Sequence, residues 1–430
     1  MRILYLDPSL SMTLGHHYNV AKVLTEEMRR QGHEVETLVN KRAEPEIEGR
    51  RCFRHSVYST IDKDPSTRAG AAALDVSALL AANDVVDEIY RTKPNLIYAH
   101  SVGAAICDGV LRALDSVYGT GPRPPFVAEL PFPSETTPGS FYGLQLKGFL
   151  ERFQQASEHQ TSSFYPVTVN SDTSRRLGHA TNAHIDTVPS PYSTPKRRSL
   201  SNPYKRPIIV GSLGHQNKTK GYHLLPEIVE RCRFEEGEVE FLIQTQPGNM
   251  EEVTRSLKLL GTAGYGIRLL ETPLNNVEYL NASLCIDVML LPYAPSRYIS
   301  AISGVCYEAL AQGSVVVGPD NTAVGRIIHD YQQNACLFPE WTAEAISESL
   351  NQAVEKYQSL SAQACEAAIA YREKNGPEAY VRHLTGTYSM RHAAQPRGKT
   401  RVSVAKRLRA AKAKQRKVAL KAARLFEKKS

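Results

Sequence analysis

The sequence predicts an α/β protein made of two doubly wound, mostly parallel-sheet domains. Three observations lead there. Short apolar runs alternate with amphipathic stretches at helical spacing; this rhythm breaks between Pro189 and Pro207 in a stretch rich in proline, serine and base; and it then restarts. A length of 430 residues suits two or three domains, and 42% hydrophobic with 22% charged residues excludes a disordered chain.

Residues 2–6 (RILYL) read as a strand ending at Asp7-Pro8. A loop around Gly15 follows, then a helix in which Val20, Leu24 and Met28 recur at helical spacing and Gly32 supplies the stop. VETLV, NLIYAH (95–100), PFVAEL (125–130) and YPVTVNS (165–171) are further strands, with helices around Val76–Ile89 and Gly103–Leu114. After the break come PIIVGSLG, a helix through Leu224–Cys232, VEFLIQT, CIDVMLLPYA, SGVCYEALAQG, SVVVGPD and a helix carrying Ile346, Leu350, Val354 and Tyr357. The expected domains are 1–190, a linker 191–206, a second domain 207–375, a closing helix 376–391 and a tail 392–430, with a cleft where the two domains join.

No run of about 18 apolar residues occurs, and Asp7-Pro8 arrives too early for a signal sequence, so neither a membrane span nor secretion is expected. Seven cysteines, at 52, 107, 232, 285, 306, 336 and 365, form no C-x-x-C pair and read as reduced thiols of a cytoplasmic protein. The formal charge of +8 is uneven. Residues 391–430 hold 15 Lys/Arg against Glu427 alone, so the remainder is acidic and the basic balance gives no support to nucleic-acid binding by the body.

Chemistry concentrates in LPYAPSRYISAISGVCYEALAQGSVVVGPD (291–320), a strand, loop, helix, strand unit. Ser303 is placed to cap the helix and Gly304 to allow close backbone approach, so the first-turn amides, including that of Val305, form an anion site fit for a diphosphate. Glu308, further along, suits two adjacent ribose hydroxyls. An ordinary capped helix with a solvated glutamate fits the same residues.

SGVCYEALAQGSVVVGPD resembles the donor-nucleotide motif of the GT-B glycosyltransferases, especially the retaining family four, in which a Glu-x7-Glu pair leads into Ala-Met/Leu-Ala-x-Gly and Pro-Val-Val. Glu308 matches the second glutamate; Ser300 stands at the first, which in the family holds the donor sugar. VGSLGHQNKTKGYHLL (210–225) resembles the opening of the donor domain, with Lys220-Gly221 in place and Ser212 at the usual arginine. VTVNSDTSRRL and IDTVPSPYSTP resemble the end of the acceptor domain, Gly15 and His16 the N-terminal glycine loop, and Tyr98-Ala99-His100 a His-Ala-His strand end; Pro131 replaces an active-site histidine. The resemblance covers about residues 1–390. It implies two Rossmann-like domains facing a cleft and a metal-independent, cofactor-free enzyme that moves a hexose-like sugar from a nucleoside diphosphate sugar to a glycan or lipid-linked acceptor.

In that chemistry negative charge grows on the departing diphosphate. Ser303, Gly304 and Val305 with Lys220 are the donor-side candidates, joined by Gly15, Ser300, Glu308 and Arg297, the last as a partial substitute for the arginine absent at Ser212. On the acceptor side His16, His17, His100 and Glu129 compete for one role; His16, Glu129 and Lys220 are taken as the catalytic set. No metal ligand is assigned. Asp62-Lys63-Asp64 reads as a solvated loop, and P-loop, zinc-protease and esterase motifs are absent. A rival is a GT-B-shaped subunit without turnover, binding a glycan or partner, motivated by Ser300, Ser212 and Pro131.

The tail (392–430) is rich in alanine and base, with Val404, Leu408, Ala411, Val418, Ala422 and Leu425 on one side of a helix. It reads as a peripheral attachment to the anionic cytoplasmic face of a membrane, with a solubilising tail and a nucleic-acid-binding tail as alternatives.

Overall fold

The computed structural model describes residues 1–13, 15–131, 140–155, 163–192, 207–245, 248, 250–332 and 336–388. Residues 193–206 of the expected linker and the basic tail 392–430 lie outside the described residues. The chain divides into two compact units, one formed by Met1–Pro191 together with the segment from Pro377 onward, the other by Tyr192–Gly376.

In the first unit β1 (Arg2–Asp7) leads through α1 (His16–Arg30) to β2 (Glu34–Asn40) and β3 (Arg50–Phe53). Then follow α2 (Arg68–Thr92), β4 (Leu96–Ala99), α3 (Ala104–Tyr118), β5 (Phe126–Glu129), α4 (Tyr142–Gln154), β6 (Phe164–Thr168), α5 (Ser171–Thr181) and β7 (Asp186–Thr187). All neighbours pair in parallel in the order β3-β2-β1-β4-β5-β6-β7. The order reverses between β1 and β4, and the carboxyl ends of such strands are where doubly wound sheets bind ligands. Asp7 ends β1 and His100 directly follows β4.

Helices form where spacing and capping coincide. The buried Val20, Leu24 and Met28 of α1 lie four apart on one face. Thr67 caps α2 by accepting from the Gly70 amide, and Ala78, Ala81, Ala82, Val85, Val86 and Ile89 enter the core of this unit. Small residues bring α3 close: a Cβ added to Gly109 would stand 2.6 Å from the Ala78 carbonyl oxygen. Among the described residues α2 alone has the length and apolarity of a membrane-crossing helix, and those core residues are its apolar side.

The second unit runs β8 (Ile208–Ser212), α6 (Leu225–Arg231), β9 (Val239–Gln244), α7 (Glu251–Thr262), β10 (Ile267–Leu270), α8 (Asn276–Leu284), β11 (Val288–Leu290), α9 (Pro295–Tyr298), α10 (Gly304–Gln312), β12 (Val315–Pro319), α11 (Ala323–Tyr331), β13 (Cys336–Phe338), α12 (Ala343–Glu355) and α13 (Tyr357–Lys374). Its parallel order is β10-β9-β8-β11-β12-β13, with the reversal between β8 and β11. The helix expected around Ile346–Tyr357 is broken at Lys356 into α12 and α13.

The chain then returns to the first unit through α14 (Pro377–His383) and a wide turn at Leu384–Tyr388. Tyr380, Val381, Leu384 and Tyr388 are buried there, and the Tyr388 hydroxyl donates to Asp186 over 3.2 Å.

Candidate functional site

In the second unit the residues singled out by sequence gather beyond β8 and β11. Ser303 caps α10, its hydroxyl accepting from the Cys306 amide over 3.3 Å while lying 3.2 Å from the Tyr293 hydroxyl. Among the described residues the Gly304 and Val305 amides have no acceptor, as expected for the first turn of a helix. Lys220 reaches this end of the helix. A Cβ built on Gly214 would lie 3.1 Å from the Lys220 ammonium and 3.4 Å from a Val305 methyl, so the three residues enclose one small space.

Local sequence dictates that arrangement. Asn217 caps a helical turn by accepting from the Lys220 amide over 2.9 Å. Gly221 follows with φ +71°, where any Cβ would stand 1.8 Å from the Pro292 carbonyl oxygen. Gly214 has φ +99° and donates its amide to the Gln244 side chain over 2.8 Å.

The Lys220 ammonium has no hydrogen-bond or ion-pair partner among the described residues, and the Tyr293 ring lies 5.9 Å from it. Burial accordingly pushes its pKa down. A desolvated cation beside the positive end of a helix is costly alone and favours an anion between them.

Glu308 accepts from the Tyr279 hydroxyl over 2.8 Å. Burial pushes its carboxyl up to about 7, against the lowering effect of that hydrogen bond. The Tyr192 ring lies against Gly304, whose added Cβ would be 3.1 Å from it, and stacks on Tyr307 at 5.7 Å. Arg297 is half-buried on α9, Ser300 is buried in the loop before α10, and Ser212 ends β8.

In the first unit the acceptor-side candidates also come together, beyond β1 and β4. Glu129 is 5% exposed and accepts from Tyr98 over 2.5 Å and from Tyr380 over 2.6 Å, with His100 Nδ1 at 3.3 Å. Burial pushes the Glu129 carboxyl up, but His100 and the two hydroxyls outweigh it and hold the pKa at about 2. For His100 desolvation acts downward and Glu129 more than reverses it, so its pKa is raised.

His17 places Nδ1 2.9 and 3.0 Å from the two oxygens of the buried Asp7. His16 opens α1 after Gly15, which has φ +86°. Its ring centroid is 4.1 Å from that of His17, and desolvation, then the neighbouring His17 and His100, push its pKa down. Gly15 therefore belongs to this cluster in the first unit, as does the Glu129 network. Pro131 follows β5.

Sequence reasoning missed Gly214, Tyr279, Tyr293, Asp7 and Tyr380, and it read Tyr98 only as a place in a strand-end motif. Gly214 alone had a local signal, the glycine two residues after Ser212 at the end of a strand.

No family model matches the chain, and no curated protein matches it by sequence. Solved structures do. A glycosyltransferase from Rickettsia africae matches with TM-score 0.64 and 13% identity over 92% of this chain and 99% of that one. The HepE protein of Anabaena, in complex with UDP and glucose, matches with TM-score 0.60 and 14% identity over 91% and 100%. UDP-GlcNAc 2-epimerase from Neisseria meningitidis, bound to UDP-GlcNAc, matches with TM-score 0.54 and 11% identity over 90% and 99%. With two parallel sheets of matching build, the chain has the GT-B fold that its sequence motifs imply.

Proposed function

We propose that this protein is a glycosyltransferase that takes a sugar from a nucleoside diphosphate sugar and delivers it to a hydroxyl of a glycan or lipid-linked acceptor. One observation carries the reading: the Lys220 ammonium and the first turn of α10, at Gly304 and Val305, both without partners among the described residues, flank the same small space beside Gly214. Leaving-group charge that builds on a diphosphate there meets a preorganised dipole and a cation held in low dielectric. Glu308 would accept from the ribose hydroxyls, with Arg297 and Ser300 as further donor contacts. In the first unit His16 and Glu129 would serve the acceptor; Glu129, already held by three partners, suits positioning better than proton transfer. Retention of configuration, freedom from metal on the diphosphate, a cytoplasmic setting and attachment of the basic tail to an anionic membrane surface complete the proposal.

The test is binding followed by turnover. UDP, GDP and ADP are screened for thermal stabilisation of the full chain, since a ligand of the native state raises its melting temperature by mass action. The matching nucleotide sugars are then assayed for diphosphate release with and without glycan acceptors. Stabilisation together with acceptor-dependent release supports the reading, whereas no nucleoside diphosphate binding at all overturns it. Binding without release favours a GT-B-shaped subunit that has lost turnover, a reading motivated by Ser212, Ser300 and Pro131 at positions the resemblance marks as functional.

A further inference from the structure

The histidines of the first unit carry an inference that does not depend on the donor reading. His16, His17 and His100 each offer a ring nitrogen, and these atoms all lie within 4.8 Å of one another. Two carboxylates stand behind them. Asp7 accepts from Nδ1 of His17 at 2.9 Å, and Glu129 lies 3.3 Å from Nδ1 of His100, which leaves the Nε2 of each ring facing away from its carboxylate; that of His17 lies 3.4 Å from the Tyr58 hydroxyl. The Nε2 of His100, on a side chain only 3% exposed, has no hydrogen-bond partner among the described residues.

We propose that His16, His17 and His100 bind a divalent transition-metal ion of the zinc type, with Asp7 and Glu129 as the outer carboxylates. Imidazole nitrogens are the ligands such ions favour, and a carboxylate on the far ring nitrogen fixes the tautomer and strengthens the ligand. Zinc–nitrogen bonds of about 2.0–2.1 Å set tetrahedral ligand nitrogens roughly 3.3 Å apart, so the widest pair here draws in by no more than about 1.5 Å on binding, a movement within reach of ring rotation. His16 and His17 also line a recess of about 720 Å³, together with Arg42, Arg54, Ser56 and Tyr58, which gives the ion a free position for water or an oxygen ligand. The site departs from the metal independence expected from sequence, and its residues belong to the first unit, whereas those of the diphosphate position belong to the second.

The full chain, prepared without a polyhistidine tag and stripped with chelator, is titrated with zinc against a chromophoric competitor, and with cobalt(II) for its visible spectrum. The expected result is one zinc per chain and an intense tetrahedral cobalt spectrum. His16→Ala should weaken zinc at least a hundredfold, and Glu129→Gln by about 10–100-fold. His184→Ala, an exposed histidine paired with Asp186, should leave affinity unchanged. His16 lies at the outer end of the cluster, its residue exposed though its ring is desolvated by the neighbouring rings, so His16→Ala should fold and decides the matter if His100→Ala does not fold. Substoichiometric zinc, an octahedral cobalt spectrum, or undiminished affinity in His16→Ala overturns the proposal. No nucleotide enters the measurement, so its failure leaves the donor reading untouched.

Discussion

Tyr380 donates its hydroxyl to Glu129 over 2.6 Å, joining α14 to the end of β5 across 251 residues of sequence. The same hydroxyl is 2.7 Å from that of Tyr98, which also donates to Glu129. A buried carboxylate held at a low pKa thus depends on a segment that the chain adds only after completing the second unit. Tyr380→Phe removes one donor and leaves the carboxylate short of a partner, at a cost of about 1–3 kcal/mol. Urea unfolding of Tyr380→Phe, Tyr98→Phe and the double variant should show losses that do not add, because the hydroxyls share an acceptor and touch each other. Additive losses would refute the coupling.

Lys220 separates stability from function. Its ammonium is partly desolvated with no anionic partner among the described residues, so Lys220→Met, similar in length and uncharged, should raise the melting temperature of the free protein slightly. Nucleoside diphosphate affinity should fall, because a charge-assisted hydrogen bond contributes about 1.5–3 kcal/mol, equivalent to roughly 10–150-fold. Turnover should fall at least as far, since charge on the leaving group is greatest in the transition state. Parallel melting and binding measurements decide this; a destabilised variant with unaltered affinity would make Lys220 a structural residue.

What sequence could reveal follows the range of each interaction. Ser303 and Gly304 were legible because helix capping is a local requirement, written within four residues, and the Lys220-Gly221 pair through the resemblance of its motif. The alternation of strands and helices was legible for the same reason. The small space that Gly214 leaves between Lys220 and Val305 was not, because it depends on β8 and β11 lying side by side across a sheet reversal. His16, His17 and His100 were each noticed, but as competitors for one role. Only the pairing of β1 with β4 makes them one cluster. Tyr380 carried no signal at all, since its partner is set by the return of the chain to the first unit.

Gly221 is the most stringent backbone position in the donor site. At φ +71°, with the Pro292 carbonyl oxygen 1.8 Å from any Cβ, Gly221→Ala must move the turn that carries Lys220. Left-handed backbone strain and overpacking each cost about 1–3 kcal/mol, so the variant should lose roughly 2–6 kcal/mol of stability. Gly237, also at positive φ but with nothing within 4 Å of an added Cβ, is the control, and Gly237→Ala should lose only about 1 kcal/mol. Equal losses in chemical denaturation would show that close packing at Pro292 does not constrain the turn.

Glu308 gives the second unit a pH signature. Its folded pKa is raised to about 7 by burial, above the ordinary glutamate value of 4.5. The folded state therefore keeps a proton that the unfolded chain releases between those values. This contribution is fully present below pH about 4.5 and is lost as pH rises to about 7, by roughly 3–4 kcal/mol at most. Glu308→Gln, neutral throughout, should flatten that part of the stability profile. Ribose hydroxyls donating to Glu308 favour its ionised form, so nucleoside diphosphate binding should release a proton near neutral pH. Affinity in the parent protein should then rise as pH passes through about 7, while Glu308→Gln binds weakly with no such rise. Calorimetry in buffers of different ionisation enthalpy measures the released proton directly, and equal proton release in the parent protein and Glu308→Gln would remove Glu308 from the nucleotide site.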